Sequence, residues 1–187
     1  MTERLTEIAV VGTGPAGLIA AGLLEQSGHN VALIGPRPSG PVDDLSRTAA
    51  LFPASLATVM GALGALDNAW LDALQPLTAI RMLDGMTGLL RAPDITFRAG
   101  DIGLDRLATN VPLARLTGEL ARALAARPRF TWIKETVAEV AIGDAHVDLV
   151  TSGGRGLQAA LLVAADGRES FARRAAGIAC DAWSYDQ

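Results

Sequence analysis

The sequence predicts an α/β fold in which a parallel sheet carries helices and ends in an antiparallel three-stranded meander. Three observations predict it. Ile8-Ala-Val-Val11 is an unbroken apolar run, and a glycine-rich turn, a helical stretch and a second apolar run (Asn30-Val-Ala-Leu-Ile34) follow in βαβ order. Residues 161–165 form another apolar run, ending at Asp166-Gly167 before a further helical stretch. Just before the second unit, the β-type segments at 135–142, 146–151 and 157–165 are joined by tight glycine turns, which leave no room there for the crossover helices that parallel strands require.

The first turn reads Gly12-Thr-Gly14-Pro15-Ala16-Gly17, a G-x-G-x-x-G run. Gly12 permits the tight turn, Gly14 lets backbone approach a diphosphate, and Gly17 lets the helix lie close on the strand. Pro15 suits the first helical turn, where its missing N–H costs nothing. The free amides at that helix start form an anion site, so a dinucleotide diphosphate is the natural occupant. Glycine turns are common by themselves. Strand, turn, helix, the Gly28 stop and a second strand in this order make the dinucleotide reading specific.

The remaining elements follow from periodicity and breakers. Gly35-Pro-Arg-Pro-Ser-Gly-Pro is a loop, and residues 43–51 lead into helical spacing. Residues 55–65 and 67–74 read as short helices, and 77–83 as a strand turned by Asp84-Gly85. Residues 88–98 read as a hairpin with Pro93-Asp94 at its turn. Leu113, Leu116, Leu120 and Leu124 recur at the helical period, placing a helix over 112–126 that Pro128 closes. Strands are expected at 130–133, 135–142, 146–151 and 157–165, with a helix over 169–176.

With 187 residues, half of them hydrophobic, the chain suits one domain with a substantial core. Its net charge of −4 and aromatic content of 4% argue against a nucleic-acid partner. The single cysteine, Cys180, excludes an internal disulfide and reads as a small buried or interface residue. His29 and His146 sit in turns at no metal-ligand spacing and read as surface residues; no metal site is expected. The charged N-terminus enters a strand without a signal peptide, and no apolar run approaches the roughly 20 residues that span a bilayer. A cytoplasmic location is expected, with peripheral membrane contact left open.

Asp166-Gly167-Arg168-Glu169-Ser170-Phe-Ala-Arg173 after a buried strand resembles the D-G-x-x-S-x-x-R motif of the flavoprotein aromatic hydroxylases. Asp44-x-x-Arg47-Thr48-x-x-Leu51, Asn110-Val-Pro-Leu113 and Trp183-Ser-Tyr185 extend the similarity to the ubiquinone-biosynthesis branch. The resemblance spans the chain end to end but only the first half of that family. It implies an FAD-binding, Rossmann-like domain of the glutathione-reductase type, covering 1–187. A substrate region would be inserted at about 75–110, leaving the substrate domain incomplete and the C-terminal half of the family fold absent. It further implies NAD(P)H as co-substrate, and a small aromatic or polyprenylated phenol that is hydroxylated. Gly12, Gly14, Pro15, Ala16 and Gly17 would bracket the FAD diphosphate, and Arg47 with Thr48 would contact or position the cofactor. Asp166 would lie near the ribose and diphosphate, while Gly167, Ser170 and Arg173 would support that turn and help accommodate the nicotinamide cofactor. In residue terms, Arg47 is equally a solvated loop arginine, and Asp166 a cap for the helix that follows.

Two departures stand out. Where such units end the second strand in Glu or Asp, which bonds the adenosine ribose, this chain has Gly35. The lost hydrogen bond is worth about 1.5–3 kcal/mol, and Asp43 or Asp44 is the candidate to replace it. The family's second Gly-Asp motif, which follows a long substrate insertion, is also missing. Gly143-Asp144 has its lettering but precedes Asp166, and reads as a hairpin turn. No catalytic acid, base or nucleophile can be named. The readings left open are the FAD-binding portion of a monooxygenase, a shortened non-catalytic nucleotide-binding or interaction module prone to oligomerise, and an NAD(P)-dependent dehydrogenase.

Overall fold

The computed structural model describes residues 2–38, 47–64, 70, 74–85 and 92–184. Its centre is a six-stranded sheet. Strand β1 (Thr2–Val11) is followed by helix α1 (Pro15–Gln26) and β2 (Val31–Ile34). After these come β3 (Thr48–Leu51), α2 (Pro53–Leu63), β4 (Pro76–Leu77), β5 (Ala79–Met82) and β6 (Ile95–Arg98). A 3-10 turn (Ala99–Ile102), β7 (Ala108–Pro112), α3 (Leu113–Ala125) and β8 (Phe130–Ile133) come next. The chain closes with β9 (Val137–Ile142), β10 (Val147–Thr151), β11 (Gly156–Ala164) and the short α4 (Phe171–Ala175).

The large sheet has the order β8-β2-β1-β11-β10-β9. Its first four strands are parallel, with Val10 opposite both Leu33 and Val163, and β11, β10 and β9 pair antiparallel as the expected meander. Every residue of β2 is buried, as a strand covered on both faces requires. One face (Ile8, Val10, Val31, Leu33) packs on α1, α2 and α3 through Leu18, Val59, Leu116, Leu120 and Leu124. The other (Ala9, Val11, Ala32, Ile34, Ile133) packs with Val147, Leu149, Leu157 and Ala159. Gly143 N–H donates to the His146 carbonyl at 2.9 Å between β9 and β10, so Gly143-Asp144 is the hairpin turn that its strand context predicts.

Arg127 ties the helical layer together. Its guanidinium donates to the carbonyls of Gly22 in α1 and Ala62 in α2, both at 2.5 Å, and meets the Glu25 carboxylate at 3.4 Å. Both side chains are nearly buried, and a Cβ on Gly22 would stand 2.9 Å from the Ala62 carbonyl oxygen, so α1 and α2 cross at backbone distance.

Three expectations need correction. Residues 48–51 form a strand rather than the lead into a helix, pairing antiparallel with β7, itself unexpected, in a second sheet of order β3-β7-β4. Their alternating exposure is the strand period, but the partner lies about 60 residues away, beyond the reach of local spacing. Residues 77–83 are not one strand, because Thr78 separates β4 in that sheet from β5 in a two-stranded hairpin. β6 takes β5 as partner, Ile80 facing Phe97, and Asp94 binds Arg81 at 2.6 Å across this pair. Cys180 is exposed, because the segment after α4 lies on the surface. Most of the helix expected at 67–74, the first arm of the hairpin expected at 88–98, and Asp43 and Asp44 lie outside the described residues.

Replacing Arg127 with Met should lower the unfolding free energy by about 3 kcal/mol, since Glu25 would be left buried without its cation. Arg122→Ala, at the more exposed pair with Glu119, should cost less than about 1 kcal/mol. Urea denaturation of the two variants measures the contrast.

Candidate functional site: two backbone corners at the end of the parallel strands

The glycine turn leaves the C-terminal end of β1, where open parallel sheets bind ligands. Gly12 has φ +110°, and its N–H donates to the Ile34 carbonyl at 2.9 Å. A Cβ at Gly12 would fall 2.1 Å from the Ala165 carbonyl oxygen, and one at Gly17 would fall 1.9 Å from the Gly12 carbonyl oxygen. Neither position admits any other residue. A Cβ at Gly14 would meet nothing within 4 Å, so that side of the turn is open.

Gly14 caps α1 with extended backbone and no side-chain hydrogen bond, and Pro15 opens the helix. The first bond within the helix runs from Leu18 N–H to the Gly14 carbonyl at 3.0 Å. The amides of Ala16 and Gly17 precede it, and helix geometry gives them no partner inside α1. An open flank beside uncapped amides at the positive end of a 12-residue helix suits a diphosphate.

The second corner meets the first through backbone. Ala165 N–H donates to the Val11 carbonyl at 2.8 Å, and the Gly12 Cβ position lies 2.8 Å from the Asp166 nitrogen. Sequence positions more than 150 apart therefore form one surface. Asp166 is bound into its own turn: the Ser170 hydroxyl donates to one carboxylate oxygen, and the Ala172 N–H donates to the other at 3.0 Å. Ser170, buried, in turn accepts from Arg173 N–H at 2.9 Å as the cap of α4. Partial burial acts to raise the Asp166 pKa, but the Ser170 hydroxyl and the amides of Ala172, Asp166 and Phe171 outweigh it, holding the carboxyl below its ordinary value. Gly167 turns at φ +94°. The Arg173 guanidinium donates to the Arg168 carbonyl at 2.9 Å, while its Nε is buried with no partner. Beside this turn lies a depression of about 640 Å³, lined by Ile142, Leu161, Leu162 and Ile178 together with Gly167, Ser170 and Arg173.

Arg47 and Thr48 stand at the start of the second sheet. Thr48 begins β3 in the second sheet, and the Arg47 carbonyl accepts from Leu113 N–H at 2.9 Å. Among the described residues, no hydrogen bond or ion pair joins the Arg47 side chain to either corner. His29 and His146 are surface residues near Glu7 and Asp148, and no His, Cys, Asp or Glu cluster among the described residues could hold a metal.

The end of β2, next to the glycine turn, carries no acid. Gly35 has φ +150°, and a Cβ there would stand 2.8 Å from Thr13 Cγ2 in the glycine turn. Its carbonyl accepts from the Trp132 indole N–H at 2.9 Å, and the Arg37 guanidinium lies over the Trp132 ring, 5.2 Å from its centroid. The missing acid was legible at Gly35; Trp132 and Arg37 were not, because β8 joins β2 only through the tertiary pairing of Leu33 with Trp132.

Two measurements test this geometry. Gly12→Ala should destabilise the fold by about 3 kcal/mol or more, from positive φ and the clash with Ala165, whereas Gly14→Ala should leave the thermal midpoint within a few degrees of wild type. Asp166→Asn carries a pH signature. Because the folded pKa is lowered, the ionised carboxylate contributes its full stability above the ordinary value of 3.8 and loses it as pH falls through the folded value. The gap in thermal midpoint between wild type and Asp166→Asn should therefore hold from neutral pH to about 5 and close in stronger acid.

Comparison with known proteins agrees with this geometry. The family described as "FAD binding domain" matches residues 5–185. The chain is 31% identical over 192 residues to the 3-demethoxyubiquinol 3-hydroxylase of Escherichia coli K12, covering all of this chain and 48% of that protein. It is 32% identical over 191 residues to ubiquinone hydroxylase UbiM of Neisseria meningitidis, covering 97% of this chain and 40% of that one. The chain thus spans less than half the length of these relatives and corresponds to their N-terminal part. Among solved structures, the flavin-dependent monooxygenase PieE, in complex with FAD and substrate, superposes with a TM-score of 0.75 at 18% identity, over 97% of this chain and 33% of that one. PqsL of Pseudomonas aeruginosa superposes with 0.70 at 19% identity, over 97% and 48%. The Gly12–Gly17 turn held against the Asp166 corner is thus set in a fold shared with flavin-dependent monooxygenases, and the chain belongs to the FAD binding domain family.

Proposed function

We propose that this chain is the FAD-holding portion of an NAD(P)H-dependent monooxygenase that hydroxylates an electron-rich aromatic ring of the ubiquinone-precursor type. The observation that carries the reading is the open flank of Gly14 beside the uncapped start of α1, with the Asp166 corner closed against the same turn. When bound, FAD supplies the redox chemistry; the protein binds, orients and tunes it. Ala16 and Gly17 would donate their amides to the diphosphate, and Gly12, Gly14 and Pro15 shape the backbone that lets them do so. Asp166 fixes the opposite wall through Ser170 and Ala172 rather than offering a free carboxylate. Gly167, Ser170 and Arg173 edge the depression in which a nicotinamide co-substrate would lie, and Arg47 with Thr48 would approach the cofactor from the second sheet.

Residues 75–110 are the proposed substrate region. Met82, Leu83, Ile95, Phe97 and Ile102 stand exposed there, an apolar strip suited to a small aromatic or polyprenylated phenol or to the walls of a substrate cavity. The same strip is where homo-oligomer or peripheral membrane contact would form; no helix among the described residues is long and apolar enough to cross a membrane.

One observation favours a second reading, a nucleotide-binding or interaction module without catalysis of its own: β2 is followed by Gly35, at φ +150°, where such units carry the ribose carboxylate. A dehydrogenase of ordinary plan is disfavoured, since β9, β10 and β11 run antiparallel where such enzymes alternate strand and helix.

Titration of the 187-residue chain with FAD, followed by flavin fluorescence, separates these. Saturable binding that ADP displaces and that Gly14→Val abolishes, with an unchanged thermal midpoint, supports the first reading. Absence of flavin binding in the wild-type chain refutes autonomous cofactor holding.

A further inference from the structure

We infer that the β5–β6 hairpin is a membrane-docking surface, whose apolar face lies on the interface of a lipid bilayer. One premise comes from the proposed function: a polyprenylated phenol is dissolved in the bilayer, so a chain that serves its hydroxylation must meet that surface.

The pairing register sorts the hairpin into two faces. Ile80 stands opposite Phe97, and Met82 opposite Ile95. Directly opposed residues of an antiparallel pair, and residues two apart on one strand, share a face. Ile80, Met82, Ile95 and Phe97 therefore form one apolar face. Ala79, Arg81, Thr96 and Arg98 form the other, where Arg81 is paired with Asp94. Met82 is 59% exposed, Ile95 46% and Phe97 51%, so the apolar face is turned outward. Leu83, the residue after β5, and Ile102, at the end of the 3-10 turn after β6, are exposed as well. Among the described residues the two strands form a sheet of their own, and none of the four apolar side chains belongs to either hydrophobic core. Two strands without a second layer are marginal in water, and an apolar phase under one face is what such a pair lacks.

Size and shape choose the occupant. Strands about 4.8 Å apart, with four residues of about 3.4 Å each, make a face of roughly 10 by 14 Å, or about 140 Å². A stable contact between two copies buries about 800 Å² on each. The face is too small for that, whereas attachment to a bilayer strengthens with each apolar side chain placed in it. Among the described residues the outer edges of both strands pair with no further strand, and hydrocarbon does not accept unpaired peptide groups. The hairpin therefore lies flat at headgroup depth, with Met82, Ile95 and Phe97 toward the acyl chains and both edges hydrated. Charge contributes little, since Arg98 and Arg106 are offset by Asp101 and Asp105.

Flotation of the 187-residue chain with phosphatidylcholine vesicles tests this. The wild-type chain should float with the vesicles, with less than about a twofold change on adding phosphatidylserine or about 0.5 M salt. Phe97→Asp and Met82→Asp should each weaken vesicle binding about tenfold, whereas Thr96→Asp, on the opposite face, should leave it unchanged. All three positions are exposed, so circular dichroism, the thermal midpoint and FAD titration should stay at wild-type values. A wild-type chain that does not float, or flotation unchanged in Phe97→Asp, overturns the inference. So does light scattering that shows a dimer dissolved by Phe97→Asp, which assigns the face to a second copy. FAD binding without flotation leaves the proposed function standing. Flotation that Phe97→Asp abolishes, in a chain that binds no FAD, supports this surface and refutes the proposed cofactor holding.

Discussion

Backbone pressed against backbone at one point organises this molecule. Gly12 lies under the Ala165 carbonyl and Gly17 lies on the Gly12 carbonyl, each closer than any side chain allows. That contact fixes where β1 ends, the angle at which α1 leaves, and how near the turn after β11 comes to the glycine turn. The chemistry of the site follows, because what is exposed at the junction is peptide amide rather than side chain, and peptide amides recognise phosphate.

The rest of the fold keeps that contact in place. Parallel strands need cover on both faces, and this chain supplies it with three helices on one side and the curling meander on the other. The helical layer is locked by one buried cation reaching two helix backbones and a carboxylate, an arrangement whose value lies in position more than in net energy. At the second corner, Asp166, Ser170 and Arg173 spend their polar groups on one another and on backbone.

The surface at this junction is thus set by what the backbone permits. The glycine turn is open at Gly14, which faces no neighbour, and β2 is followed by Gly35 rather than an acid. Family membership defines the fold.

The sequence by itself determined the parallel core, the meander, both corners and the missing ribose acid. Each rests on a short local pattern: an apolar run such as Ile8–Val11, glycines at fixed spacing, or the Asp-Gly that ends β11. It also marked Gly143-Asp144 as a turn, because Val147 to Val150 alternates as a strand does. Only the tertiary structure decided the second sheet, in which β3 finds β7 about 60 residues away, and the division of residues 76–82 between two sheets. The same holds for the exposure of Cys180 and the stacking of Arg37 on Trp132. Pairings of that kind are set by which segments meet once the chain is compact, and neither propensity nor periodicity within a window of a dozen residues carries that information.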